Sequence, residues 1–205
     1  GESSFLMYNK QMFAQAGITL PAEPTWPEVA DAARRLHSRD VAGICLRGKP
    51  GWGEVLAPLN TVINAYGGRW FDENWNAQLT SPETEAAVQF YVDLVRSHGQ
   101  PGAATSGFSE CATQLAQGNT AMWYDSTAAV SVLEDPESSK VVGKIGYVPA
   151  PSAAGRWRRS AAAKEVRRRS SRVPSRRPTG RIPAAVQRSR SPRWSRASPQ
   201  PRRSR

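Results

Sequence analysis

Three short stretches of this 205-residue chain place an aromatic ring close to an acid. They are Trp52 and Glu54 in PGWGE, Phe108 and Glu110 in GFSE, and Trp123 and Asp125 in TAMWYDST. Such a pairing suits a molecule with hydroxyls on its edge and C–H bonds on its face. The carboxylate accepts from the hydroxyls and the ring lies against the face. The glycines around Trp52 let backbone come close to a ligand. The same residues also have plain structural uses. Glu54 and Glu110 suit the first turn of a helix, where the dipole favours an acid. Asp125, beside Ser126, suits a helix N-cap, and each ring can simply pack on a neighbour.

The elements that must carry these residues alternate between helix and strand, which argues for an α/β architecture over residues 1–150. SFLMY reads as a strand and NKQMFAQAG as a short helix ended by Gly17. In TWPE, Thr25 caps a helix, Pro27 fits its first turn and Glu28 closes a capping box. Val29, Ala33 and Leu36 then share one face. VAGICL reads as a strand. WGEVLAPLNTVINAYGG reads as a helix that bends or starts late at Pro58 and stops at Gly67-Gly68. RWFDENWNAQL predicts a hairpin of two short aromatic strands around Asp72-Glu73-Asn74. SPETEAAVQFYVDLVRSHG is a helix capped by Ser81, with Ala87, Phe90, Tyr91, Leu94 and Val95 on its apolar stripe. Ser109 caps a shorter helix that Gly118 ends. TAMWY is a strand, Ser126 caps another helix, and VVGKIGYVPAP is the last strand. Alternation along TAMWY sets Met122 and Tyr124 on one side and Trp123 and Asp125 on the other. A strand's carboxyl end is where such sheets bind ligands.

Of the other candidates, Trp26 reads as a structural ring, and Trp70 and Trp75 as packing within the hairpin. His37 and His98 read as solvated cations at helix C-termini. Cys45 and Cys111 are the only cysteines; they pair in an oxidising compartment or remain as buried thiols. No GxSxG, HExxH, CxxC, P-loop or GxGxxG motif occurs, so catalysis, a cofactor and a metal are not expected.

Charge divides the chain. Residues 1–155 carry 10 basic and 16 acidic residues, whereas residues 156–205 carry 18 basic and one acidic residue. The last segment holds 17 Arg, 9 Ser, 6 Pro and 6 Ala. That composition predicts disorder and salt-dependent binding to polyanions. It makes a nucleic-acid-associated protein the alternative reading of the whole chain. It is also what a GC-rich gene yields out of frame, and the expectation is a frameshift junction near residues 152–156, with no specific nucleic-acid partner.

MYNKQMFAQAGITLPAEPTWPEVADAARRL, GNTAMWYDST and KIGYVPAP, in that order, resemble the extracellular solute-binding proteins of ABC importers. GGRWFDENWNAQLTSPETEAAVQFYVDL and GESSFLMYNK are most similar to the sorbitol/mannitol-type branch. The resemblance covers residues 1–152. It implies a type II periplasmic-binding-protein fold of two α/β lobes, with residues 1–155 as an incomplete solute-binding domain. Residues near 1–115 fall mostly in the second lobe, and a crossover near 119–130 leads back to the first. It further implies a sugar or sugar alcohol bound between the lobes by Trp52, Glu54, Phe108, Glu110, Trp123 and Asp125. A permease would be the partner of a monomer that is periplasmic or lipid-anchored outside the cell. The family's leader and first-lobe residues are not in this sequence, so an internal fragment is expected.

Overall fold

The structure is a computed structural model, and it describes residues 2–153. The tail composition singled out above falls on residues outside that range, as does the frameshift junction beyond residue 153.

A three-stranded antiparallel sheet of order β2-β1-β3 organises the described residues. β1 is Ser4–Asn9, β2 is Met122–Ser126 and β3 is Ile145–Pro149. In register, Met7 faces Trp123 on one side and Tyr147 on the other. Alternation along the strands feeds two cores. Leu6, Met122 and Tyr124 point into one, with Trp26, Val29, Val62, Ala87, Tyr91 and Leu94. Met7 and Trp123 point into the other, with Cys45, Cys111, Leu115 and Leu133. The first core is supplied by α1 (Lys10–Gln15), α2 (Trp26–Leu36), α3 (Leu56–Ala65) and α4 (Pro82–His98). The second is supplied by α5 (Phe108–Ala116) and α6 (Val130–Leu133).

Most helix boundaries follow the local chemistry. The Thr25 hydroxyl accepts from the Glu28 N–H while the Glu28 carboxylate accepts from the Thr25 N–H, which is the expected reciprocal cap. Trp26 is fully buried, edge-on to Tyr124 at 4.8 Å and to Phe90 at 5.6 Å. Ser81 caps α4, and of the predicted stripe Ala87, Tyr91 and Leu94 are buried while Phe90 and Val95 lie at the margin.

Four expectations are corrected. VAGICL does not form a strand of the sheet. It runs parallel to the β2 segment, with isolated bridges at Ala42–Thr120, just before β2, and at Cys45–Trp123. In between, the Gly43 N–H donates to His37 Nδ1 and the Ile44 N–H to the His98 carbonyl, so those amides turn to the helices instead. A Cβ on Gly43 would lie 2.2 Å from the Ala33 carbonyl oxygen, which is why this crossing needs glycine.

The hairpin after Gly68 contracts to one antiparallel bridge, Phe71–Ala77. Its centre is the Asp72 carboxylate, which accepts from the N–H groups of Asn74 and Asn76 and from the Asn76 and Gln78 side-chain amides. Those donors hold Asp72 below the usual carboxylate range, the Asn76 side chain first. The turn forces Trp75 to φ 64° and leaves it 80% exposed, with Trp70 36% exposed, so neither ring joins a core.

Ser109 does not cap α5. Gly107 is the cap residue, and its N–H donates to Glu110. Ser126 caps a single 3-10 turn, Thr127–Ala129, before α6.

The two histidines differ: His37 is exposed at the C-terminus of α2, as expected, whereas His98 is partly withdrawn from solvent. Their rings lie 5.7 Å apart, His37 Nδ1 acts as an acceptor, and His98 Nδ1 is sealed from solvent without a partner. Burial, followed by His37 and Arg34 nearby, pushes His98 below its ordinary value of 6.5. Below pH 6.5 the unfolded chain takes up a proton that the folded ring resists, so stability falls as the pH falls through that value. Urea unfolding at pH 7.5 and 5.5 should show this loss, and His98→Gln should reduce it.

Cys45 and Cys111 form a disulfide with Cα atoms 5.6 Å apart across 66 residues of sequence. Closing a loop of that length in the unfolded chain is worth about 4 kcal/mol in the chain-entropy model.

Candidate functional site

The segment after Cys45 carries the residue about which the candidates gather. Arg47 follows the buried Ile44-Cys45-Leu46 run and is itself 6% exposed. The backbone at and beside it is pinned from three sides. The Tyr91 hydroxyl donates to the Arg47 carbonyl at 2.8 Å, and the Gly48 and Lys49 N–H groups both donate to the Ser106 carbonyl at 3.0 Å. The Gln100 side-chain amide pairs with Leu46 as a strand would, accepting from its N–H at 3.2 Å and donating to its carbonyl at 2.7 Å. Burial first, then the Asp125 charge, raises the Tyr91 phenol well above its ordinary value, so it remains a donor.

The Arg47 guanidinium grips Asp125 with two bonds, Nε to Oδ2 at 2.7 Å and Nη2 to Oδ1 at 2.5 Å. Nη1 donates to the Gly53 carbonyl at 2.9 Å and stands 3.7 Å from Glu54 Oε2. The Arg47 Cζ lies 5.0 Å over the Phe108 ring, a cation–π arrangement. Burial alone would lower the Arg47 value; the hydrogen bond and charge of Asp125 outweigh it and hold the guanidinium charged.

Phe108 meets Trp123 edge-on at 5.1 Å, and Trp123 Nε1 donates to Asp125 Oδ2 at 3.0 Å. Glu54 reaches the start of α5, where its Oε2 accepts from the Phe108 N–H at 3.2 Å. Gly107 makes that approach possible, since a Cβ there would lie 2.4 Å from Glu54 Oε2. Four of the six sequence candidates, Glu54, Phe108, Trp123 and Asp125, thus converge on Arg47.

Their free capacity differs. Asp125 is 2% exposed and already accepts from Arg47 Nε and Nη2, Trp123 Nε1 and the Ser126 N–H, which fills a carboxylate's four lone-pair positions. Trp123 is fully buried. The Glu54 side chain is 29% exposed, and among the described residues its Oε1 has only Lys49 Nζ, at 3.5 Å. Phe108 is half-buried. Trp52 stands 86% exposed on the loop between Gly51 and Gly53. Glu110 is exposed and bound to its own helix cap, and its backbone bond to Gly107 lowers its value. The groups left open are therefore Trp52, Glu54 and the rim of Phe108, with Arg47, Asp125 and Trp123 as the buried frame behind them.

Arg47 was not a sequence candidate. Its partner is 78 residues away, and the only local signal is a cation directly after the apolar run ICL. Two surface hollows, of about 430 and 410 Å³, lie near His37–Asn119 and between α2 and α4; neither is lined by any of the six candidates.

Sheet, helices and crossing segment together are part of the α/β fold of type II periplasmic solute-binding proteins. The chain belongs to the bacterial extracellular solute-binding protein family, whose model matches residues 1–163. The mannitol-binding protein of Pseudomonas aeruginosa is 41% identical over 152 residues, covering 73% of this chain and 35% of that protein. Among solved structures, a solute-binding protein of an ABC transporter from Agrobacterium vitis S4 with bound D-mannitol is 44% identical, with TM-score 0.72. That likeness covers 75% of this chain and 37% of the other. A ribitol complex from Agrobacterium radiobacter K84 is 28% identical, with TM-score 0.66, over 75% of this chain and 39% of the other. The chain thus spans little more than a third of the length of these relatives. They are binding proteins, not enzymes, in keeping with the absence of catalytic motifs from the sequence.

Proposed function

We propose that residues 2–153 form one wall of a sugar-alcohol site in the substrate-binding component of an ABC importer. The protein would act outside the cytoplasm and deliver its ligand to membrane permease subunits. Glu54 accepts hydroxyl protons, Trp52 and Phe108 cover C–H faces, and the Arg47–Asp125–Trp123 frame keeps them in place. The observation that carries this reading is the convergence of Glu54, Phe108, Trp123 and Asp125 on one buried arginine. The 44% identity to a mannitol-bound protein over the same part of the chain supports it. The remaining wall belongs to the further length that the relatives possess.

The test grafts residues 2–153 into the Pseudomonas aeruginosa mannitol-binding protein in place of the matching segment. Titration calorimetry with D-mannitol, ribitol and maltose should give binding to at least one sugar alcohol. Glu54→Gln should weaken it by about 1.5–3 kcal/mol, the worth of a hydrogen bond to a charged group. A folded graft that binds none of the three would overturn the reading.

A further inference from the structure

We propose that the Cys45–Cys111 disulfide is a positioning element of the site, coupled to ligand occupancy; the occupancy part rests on the sugar-alcohol reading above. The bond joins the two segments whose relative placement makes the site. Cys45 lies two residues before Arg47, and Cys111 lies three residues after Phe108 in the opening turn of α5. Both sulfurs sit in the core that holds Trp123, against which Phe108 packs. The Cys45 N–H donates to the Met122 carbonyl at 2.8 Å, so the same residue that anchors α5 also aligns the Arg47 segment along β2. Gln100 completes the clamp: its Nε2 donates to the Leu46 carbonyl and lies 3.8 Å from Cys111 Sγ.

The remaining ties between the two segments are non-covalent. They are the Gly48 and Lys49 bonds to Ser106, the Glu54 bond to the Phe108 N–H, and the Arg47–Phe108 contact. With the bond cut, α5 can withdraw from Arg47. The Phe108 ring and the Glu54 carboxylate then lose their shared reference. Both cysteines are fully buried, so a reductant reaches them only when this core opens. A ligand that bridges Glu54 and Phe108 opposes that opening, and by linkage the loss of the bond must weaken the ligand by the same factor. Cutting the bond with a dithiol balances simply: two electrons and two protons pass to the protein, leaving two thiols, and the dithiol becomes a cyclic disulfide.

The first measurement needs no ligand. Indole N–H resonances of the 205-residue chain, labelled with 15N, are recorded before and after treatment with dithiothreitol. Trp123 and Trp26 are assigned by their Phe variants. Reduction should shift the Trp123 signal and leave that of Trp26, which packs on the other face of the sheet, in place. An unmoved Trp123, or equal collapse of both signals, overturns the proposal and makes the bond a general staple only. The second measurement is titration of D-mannitol into the grafted protein and into its Cys45→Ala/Cys111→Ala variant, with Trp26→Phe as a control destabilised on the opposite face. The cysteine variant should bind at least about tenfold more weakly and the control should bind as the parent does. Equal affinity in all three overturns the coupling. If Trp123 alone shifts and no form binds a sugar alcohol, the positioning role stands and the sugar-alcohol reading fails.

Discussion

Asp125→Ala is expected to destabilise the chain by about 3–5 kcal/mol, because it leaves a permanently charged guanidinium buried without its partner. Arg47 and Asp125 side chains are only 7% and 2% exposed, so solvent cannot replace what is lost. Asp125→Asn should recover little of the loss: it keeps the shape but points an amide N–H₂ at a guanidinium that also only donates. The double replacement Arg47→Met/Asp125→Leu removes both charges and should be much less destabilised than the sum of Arg47→Met and Asp125→Leu. Urea denaturation of the four proteins measures the cycle. Strict additivity would show that the pair does not interact.

The second large effect belongs to Trp123. Trp123→Ala empties a fully buried position and should cost about 3–5 kcal/mol of stability. In the grafted protein it should also weaken sugar-alcohol binding by at least about tenfold, since Phe108 loses the ring it leans on at 5.1 Å. Trp123→Phe separates packing from hydrogen bonding. It keeps an aromatic ring beside Phe108 but deletes the Nε1 donor to Asp125, at a cost of about 1 kcal/mol. If Trp123→Phe binds as weakly as Trp123→Ala, the N–H and its hold on Asp125 matter more than the ring. If neither affects affinity in a folded graft, Trp123 is core alone.

How far the sequence reveals this arrangement depends on the range of each interaction. The Thr25 cap, the Ser81 cap and the alternation of Met122, Trp123 and Tyr124 are set by neighbours within a few residues, and they read correctly from the chain. The same local logic fails where two local solutions compete. Ser109 looks like a cap, but Glu110 reaches back to the Gly107 N–H, and the helix starts before Ser109. The apolar run VAGICL resembles a strand, yet its middle amides go to His37 and to the His98 carbonyl, partners that no pattern within the run can show. Trp75 does pack within the hairpin, on Phe71 at 5.6 Å, but the Asp72 turn holds it outside either core through backbone geometry rather than composition.

The candidate site shows the same division. Ring and acid pairs were visible, whereas what distinguishes them was not. Glu54 and Asp125 look equivalent in sequence. Only the arrival of Arg47 from 78 residues away fills Asp125 and leaves part of Glu54 free. The disulfide was likewise one of two open possibilities, because nothing local fixes the distance between residues 66 apart.

The strand order has a kinetic consequence. β1, at residues 4–9, is the central strand, and both its neighbours come from beyond residue 120. Pairings so distant in sequence close slowly. In refolding of the described residues, α1 to α4 can form from contacts within their own segments while Leu6 and Met7 still await the strands that pair with β1. The sheet therefore closes late, and the slowest refolding step of the described residues is expected to be the docking of residues 122–149 on β1.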